Sequence, residues 1–208
     1  VDLGIVLAFI GAAAVISLVP GPDMMYILAN GISTGPRGGV VAAVGMSTGV
    51  LVHTVAAALG LTAVFQAVPA ALEVVRIAGV VFLLYLAVQS LRSSALPDVR
   101  GAPARSLGRI YGMAVLTNVS NPKVILFYLA FVPQFVSLDA PWPVPVQLLA
   151  LGGLLLVVGI CVDAAVGVSS GWLSNVLVRH RGVQRWLDRA AALLFGGLAL
   201  RLATEDLR

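Results

Sequence analysis

Two side chains of opposite charge sit directly after two proline breaks: Asp23 follows Pro20-Gly21-Pro22, and Lys123 follows Asn121-Pro122. Both lie inside long apolar runs, and Lys123 is the only lysine in the chain. A charge inside an apolar span is costly and marks a pathway, a binding site or an internal pair. Two roles are open, and they are compatible. The pair can lock two segments together, or it can hold a zwitterion, with Asp23 attracting an ammonium and Lys123 a carboxylate. Asp163, in the apolar run 144–171, is a third candidate: a proton carrier, a partner for Lys123, or a partner for a loop arginine. His53 lies in the middle of the run 39–64. Imidazole suits proton relay, although a lone membrane histidine more often bonds a neighbouring helix. Tyr26 and Asn30 fall near Asp23 at helical spacing, and Asn118 lies one turn before Pro122. Each can line a cavity or bridge helices.

The breaks themselves carry chemistry. Proline has no N–H and clashes with the carbonyl four residues earlier. Gly21 between two prolines therefore makes a continuous helix through 20–22 improbable. An unbroken helix over 3–33 would also reach ~46 Å at ~1.5 Å per residue, against a ~30 Å hydrocarbon core. A break near Pro22 removes the excess, with proline well placed in a first helical turn. Lipid cannot satisfy the backbone groups freed at such a break, so it must be buried in protein or face a wet cavity. A new helix start presents free N–H groups and a partial positive charge, which suits a substrate carboxylate. The bland alternative is a kink that only shapes the bundle.

The elements that hold these residues follow from composition. The 208 residues are 60% hydrophobic and 11% charged, where a soluble domain has about 25% charged residues. That leaves too little polar material to coat a soluble core. Six apolar runs, roughly 3–33, 39–64, 69–91, 110–136, 144–171 and 186–203, approach or exceed the ~20 residues a transmembrane helix needs. Alternating ten-residue strands are absent, which disfavours a membrane β-barrel. The expected fold is all-α and integral to the membrane, with six transmembrane helices. Arginines collect in the first, third and fifth connections: Arg37; Arg92, Arg100, Arg105 and Arg109; Arg179, Arg181 and Arg185. The connections near 65–68 and 137–143 have no Lys or Arg. Positive residues favour the cytoplasm, so both termini are expected on the non-cytoplasmic side of a bacterial inner membrane. The net charge of +4 thus tracks orientation and contact with lipid headgroups; nucleic acid is not expected as a partner.

Pro22 and Pro122 stand 100 residues apart, about half the chain. Three crossings separate their segments, so a shared fold in the two halves would be inverted in the second. This predicts one transporter domain over 1–208. Its pseudo-repeats cover approximately 1–92 and 109–208, helices 1 and 4 are broken, and a cytoplasmic loop over 93–108 joins the halves. Inverted repeats with a broken helix in each half point to a transporter's central site, where Asp23 and Lys123 would meet.

Other features are less informative. Cys161 is alone in an apolar run and reads as a small buried hydrophobe. Gly35-x3-Gly39 and Gly45-x3-Gly49 are close-packing signals; they permit a homodimer and equally suit packing within one chain. The first run has neither a basic leader nor an A-x-A-like cleavage site before Pro20, against a cleaved signal peptide. Gly167-Val168-Ser169-Ser170-Gly171 lacks the spacing of a serine nucleophile turn, so an enzyme is not expected. No His/Cys cluster suggests a metal site or other cofactor.

The stretch Leu18-Val19-Pro20-Gly21-Pro22-Asp23-Met24-Met25-Tyr26, followed by Gly31, Gly35, Gly39, Gly45 and Gly49, resembles the N-terminal signature of the LysE/RhtB amino-acid exporters. Asn121-Pro122-Lys123-Val124-Ile125-Leu126-Phe127-Tyr128 resembles that family's second signature, and Gly196-Gly197-Leu198 is similar to its C-terminal segment. The resemblance implies efflux of amino acids or related metabolites, driven by an ion gradient of protons or sodium. It puts Pro20, Pro22, Asp23, Asn121, Pro122 and Lys123 at the central site. Gly21, Asn30, His53, Asn118 and Asp163 join the candidate pathway on the local arguments above. The rival within the wider superfamily is an exporter of metal ions or other small solutes.

Overall fold

In the computed structural model the described residues are 3–19, 21–67, 71–92, 105–179 and 181–204. They are helical throughout apart from short connections, with no strand among them. The first broken unit is α1 (Leu3–Leu18) and α2 (Pro22–Thr34), followed by α3 (Pro36–Ala67) and α4 (Ala71–Arg92). The second is α5 (Leu107–Val119) and α6 (Pro122–Leu126), which continues as a π turn (Phe127–Phe131) and a 3₁₀ turn (Val132–Phe135). Two long helices follow, α7 (Val144–Arg179) and α8 (Arg181–Thr204).

Each predicted run that is described falls on helix, with moved boundaries. Helix α7 continues past the predicted end at 171 to Arg179, because a helix need not stop where its apolar content stops. Pro20 and the greater part of the loop 93–108 lie outside the described residues, so the loop's role as a cytoplasmic linker stays an expectation.

Both proline breaks form where expected. Helix α2 starts at Pro22, with Gly21 extended before it and the first helical bond from Met25 N–H to the Gly21 carbonyl. Helix α6 starts at Pro122, with Asn121 extended before it. In each case the residue ahead of proline is driven out of the helical region. The segments on either side diverge by 57° at the first break and 46° at the second. Helix α2 ends at Gly35, whose positive φ of 80° suits glycine, and Pro36 then opens α3. In the second unit, Pro133 cannot donate to the helix ladder, and the chain around it adopts π and 3₁₀ geometry.

Pro36–Leu61 and Val144–Ser170 are each long and apolar enough to cross a membrane; the two bent pairs raise the number to four if each is one span. Large apolar side chains also face outward, among them Leu59 at 71% and Leu193 at 78% exposure. Water is a poor solvent for such a surface and lipid a good one.

Helix α3 is central. It packs most extensively on α7, then on α5 and α2, while α4 packs on α8. Small residues permit the closest approaches. A Cβ on Gly39 would sit 2.4 Å from the Gly167 carbonyl oxygen on α7, and one on Gly49 would sit 2.5 Å from Asn118 Oδ1 on α5. Of the glycine spacings read from the sequence, Gly39, Gly45 and Gly49 serve packing inside one chain, while Gly35 serves the turn before α3.

Two apolar clusters result. The larger gathers Phe9 of α1, Phe127 and Phe131 of the π turn, and Phe195 of α8. Phe127 and Phe131 stack at 4.7 Å between ring centroids, and Phe9 meets Phe135 edge-on at 5.1 Å. The smaller joins Met24 and Ile27 of α2 to Met46 of α3, Ile110 of α5 and Val166 of α7.

Candidate functional site

Between these two clusters lies a recess. Its wall includes Ile16, Val124, Phe127 and Leu155 from the larger cluster and Met24 from the smaller one. Its polar groups are Ser17, Asp23, Asn118, Lys123 and Asp163. The recess is narrow: its cavity volume is about 50 Å³, below the ~300–1,000 Å³ of drug-sized ligand sites. Both proline breaks border it, so the predicted meeting of Asp23 with Lys123 is present as a shared cavity.

Lys123 reaches its place because Asn121 caps α6. The Asn121 side-chain oxygen accepts from the Lys123 backbone N–H at 3.0 Å, which starts the new helix and directs the lysine across to the first break. There its ammonium donates to the carbonyls of Ile16 at 3.0 Å and Val19 at 3.2 Å. Ile16 is four residues before Pro20, so its carbonyl would have no helical N–H partner there. The lysine of the second break thus satisfies a carbonyl orphaned by the first, and it sits at the negative end of α1's dipole. Gly21 leaves it room: a Cβ there would lie 3.4 Å from Lys123 Nζ. Lys123 forms no ion pair with Asp23 among the described residues. Two of its three N–H groups serve backbone, and one remains for another acceptor.

Asp23 is held from the other side. The Asn118 amide donates to one of its carboxylate oxygens at 2.9 Å. This orientation follows from chemistry, since a carboxylate only accepts. The second Asp23 oxygen, Oδ1, is buried without a partner, and so are Asn118 Oδ1 and Asn121 Nδ2. Buried polar atoms are nearly always hydrogen-bonded, and leaving one unmet costs about 1–3 kcal/mol. Asn118 Oδ1 lies against Gly49 of α3, while the carboxylates of Asp23 and Asp163 on the wall make this part of the recess a place for hydrogen-bond donors or a cation.

The remaining predicted residues divide. Pro22 and Pro122 are exposed at their helix starts and act through the backbone. His53 is half-buried beside the site. Its Nε2 lies 3.4 Å from the Asn118 carbonyl, long for a hydrogen bond, and its ring stacks on Tyr128 at 5.6 Å. Asn30 is buried but turns back to donate to the Tyr26 carbonyl at 2.8 Å, outside the recess wall. Tyr26 bridges to the Ile110 carbonyl at 3.1 Å. Sequence reasoning missed Ser17, Val50, Leu155 and Gly159, all on the wall. Leu155 and Gly159 were discoverable, because they precede Asp163 by eight and four residues on one face of α7. It also missed the Tyr128 hydroxyl, which lies 2.7 Å from Thr54 Oγ1 and 3.3 Å from the Val50 carbonyl, tying the π turn to α3.

The family model described as LysE type translocator matches residues 14–206. The chain belongs to the LysE-type translocator family. This translocator is 30% identical over 198 residues to proteins named leucine efflux protein from Salmonella choleraesuis (strain SC-B67) and Salmonella typhimurium (strain LT2), covering 94% of this chain and 93% of theirs. It is also 30% identical over 203 residues to the leucine efflux protein of Klebsiella pneumoniae, covering 95% of this chain and 94% of that one. No solved structure matches it.

Proposed function

We propose that this translocator exports leucine or a similar aliphatic amino acid across the bacterial inner membrane. The observation that carries the reading is the recess between the two proline breaks, which Asp23, Lys123 and Asp163 line together with an apolar wall. The names of the similar proteins supply the substrate and the direction. An amino acid's ammonium takes the carboxylate of Asp23 or Asp163. Its carboxylate takes the remaining N–H of Lys123 or the N–H groups in the first turn of α2. Its side chain lies against Ile16, Val50, Phe127 and Leu155.

The mechanism is alternating access about a six-helix inverted repeat, each bent pair counting as one crossing. Two features support the repeat. Both broken units bend by similar angles, and the helices it makes counterparts, α3 with α7 and α4 with α8, are the pairs in most extensive contact. Both termini face the non-cytoplasmic side, as the arginine distribution requires. Protonation of Asp23 or Asp163 from outside weakens its hold on the ammonium and releases substrate, coupling export to inward proton flow.

Proteoliposomes loaded with labelled leucine test this reading. Saturable export that accelerates when the outside is made acidic is expected. Absence of leucine export contradicts the substrate, and export indifferent to either pH gradient contradicts proton coupling.

A further inference from the structure

The polar and apolar parts of the recess are laid out in a row along α7. Asp163, Gly159 and Leu155 all line it, and their four-residue spacing puts them on one face of the helix. At ~1.5 Å per residue, Gly159 lies ~6 Å and Leu155 ~12 Å along the axis from Asp163. An amino acid whose ammonium sits near Asp163 has its side-chain end roughly 5 Å away, from ordinary bond lengths. That end falls level with Gly159 and short of Leu155.

Gly159 is a gap in the wall. A Cβ there would meet only Ser17 Oγ, at 4.0 Å. Two other glycines of α7, away from the recess, differ from it. A Cβ on Gly152, also on α7, would collide with Thr54 at 2.2 Å, and one on Gly167 with the Gly39 backbone at 2.6 Å. Those two glycines serve close helix packing. Gly159 has no such neighbour, so packing does not account for its missing side chain. Ser17 across the gap is already committed, its hydroxyl donating to the Ala13 carbonyl at 2.9 Å.

We propose that Gly159 is the residue that sets the size of the exported side chain, its missing Cβ leaving the space that a leucine-sized aliphatic group fills, with Leu155 as the end stop. The inference rests on the reading that the recess holds the exported amino acid. A single methylene too many or too few in an apolar site changes selectivity by about 10–200-fold. Filling the gap therefore acts on long substrates and spares short ones.

The test is competitive export of phenylalanine, leucine, valine and alanine from proteoliposomes by the parent, Gly159→Ala, Gly159→Val and Leu155→Ala, each checked for a monodisperse elution profile. The expected result is a leucine-to-alanine export ratio that falls about 10-fold or more in Gly159→Val, with Gly159→Ala between. Leu155→Ala is expected to move the other way, raising phenylalanine relative to leucine about 10-fold. Unchanged ratios in monodisperse variants overturn the inference while a leucine-exporting parent keeps the functional reading intact. A uniform loss for all amino acids also overturns it, because that marks Gly159 as a packing residue. Should Gly159→Val not fold, Gly159→Ala and Leu155→Ala decide on the same ratios. If the parent exports no amino acid, the functional reading fails first, and the inference falls with it.

Discussion

Replacing Lys123 with methionine is expected to destabilise the protein by about 3 kcal/mol and to abolish export. The substitution removes two hydrogen bonds, to the Ile16 and Val19 carbonyls. Each buried carbonyl left without a donor costs about 1–3 kcal/mol. It also leaves Asp23 and Asp163 in the recess with no cation beside them, and an uncompensated buried charge is strongly destabilising. Thermal unfolding in detergent reads the first effect and proteoliposome export the second. Arginine at this position keeps the charge but spreads it over a planar fork that does not match a point ammonium. Lys123→Arg is therefore expected to recover part of the stability and little of the export. A Lys123→Met protein with parental stability and parental export would remove Lys123 from any role at the breaks.

Asp23→Asn is the complementary case: a folded protein that does not transport. The side chain keeps its shape and an oxygen for the Asn118 amide, which now donates to Asp23 at 2.9 Å. Packing around Met24, Ile27 and Leu28, all buried in α2, is untouched. What disappears is the charge that faces a substrate ammonium. Truncating one partner of a buried charge pair costs about 2–5 kcal/mol, which is roughly 30-fold to several thousand-fold in affinity. Leucine export is expected to fall at least about 30-fold with little change in unfolding temperature. Undiminished export would move the ammonium site away from Asp23, with Asp163 the next position to test.

These two residues also show what the sequence carries and what it conceals. Proline has a local effect that sequence alone predicts, so both breaks were placed correctly, as was the start of α2 at Pro22. Pairing the two breaks also brought Asp23 and Lys123 to one recess, because two charges in apolar runs have few places to go. The lysine's actual partners were harder to read. They are backbone carbonyls, which carry no residue signature, and the only clue was that Ile16 stands four residues before Pro20. Asn30 failed for another reason. Its helical spacing from Asp23 is suitable, but a short amide can turn back on its own helix, and here it bonds the Tyr26 carbonyl. Gly159 is marked in the sequence only by its four-residue spacing from Asp163, because a gap has no chemistry of its own until its neighbours are known. The π turn at Phe127–Phe131 depends on how Pro133 is accommodated in three dimensions, which periodicity does not encode.

The central claim is that the exported amino acid occupies the recess between the two breaks. Substituted-cysteine protection tests it most directly. Cys161 is exposed, not buried as its apolar run in the sequence suggests, because an apolar helix face can lie on the outside of the bundle; Cys161→Ser therefore gives a thiol-free background in which Ser17→Cys places one thiol on the recess wall. Saturating leucine is expected to slow alkylation of that thiol several-fold by a small maleimide, and glutamate is expected to leave the rate unchanged. A leucine-exporting Ser17→Cys protein whose alkylation rate ignores leucine would contradict the claim and place the substrate path elsewhere in the bundle.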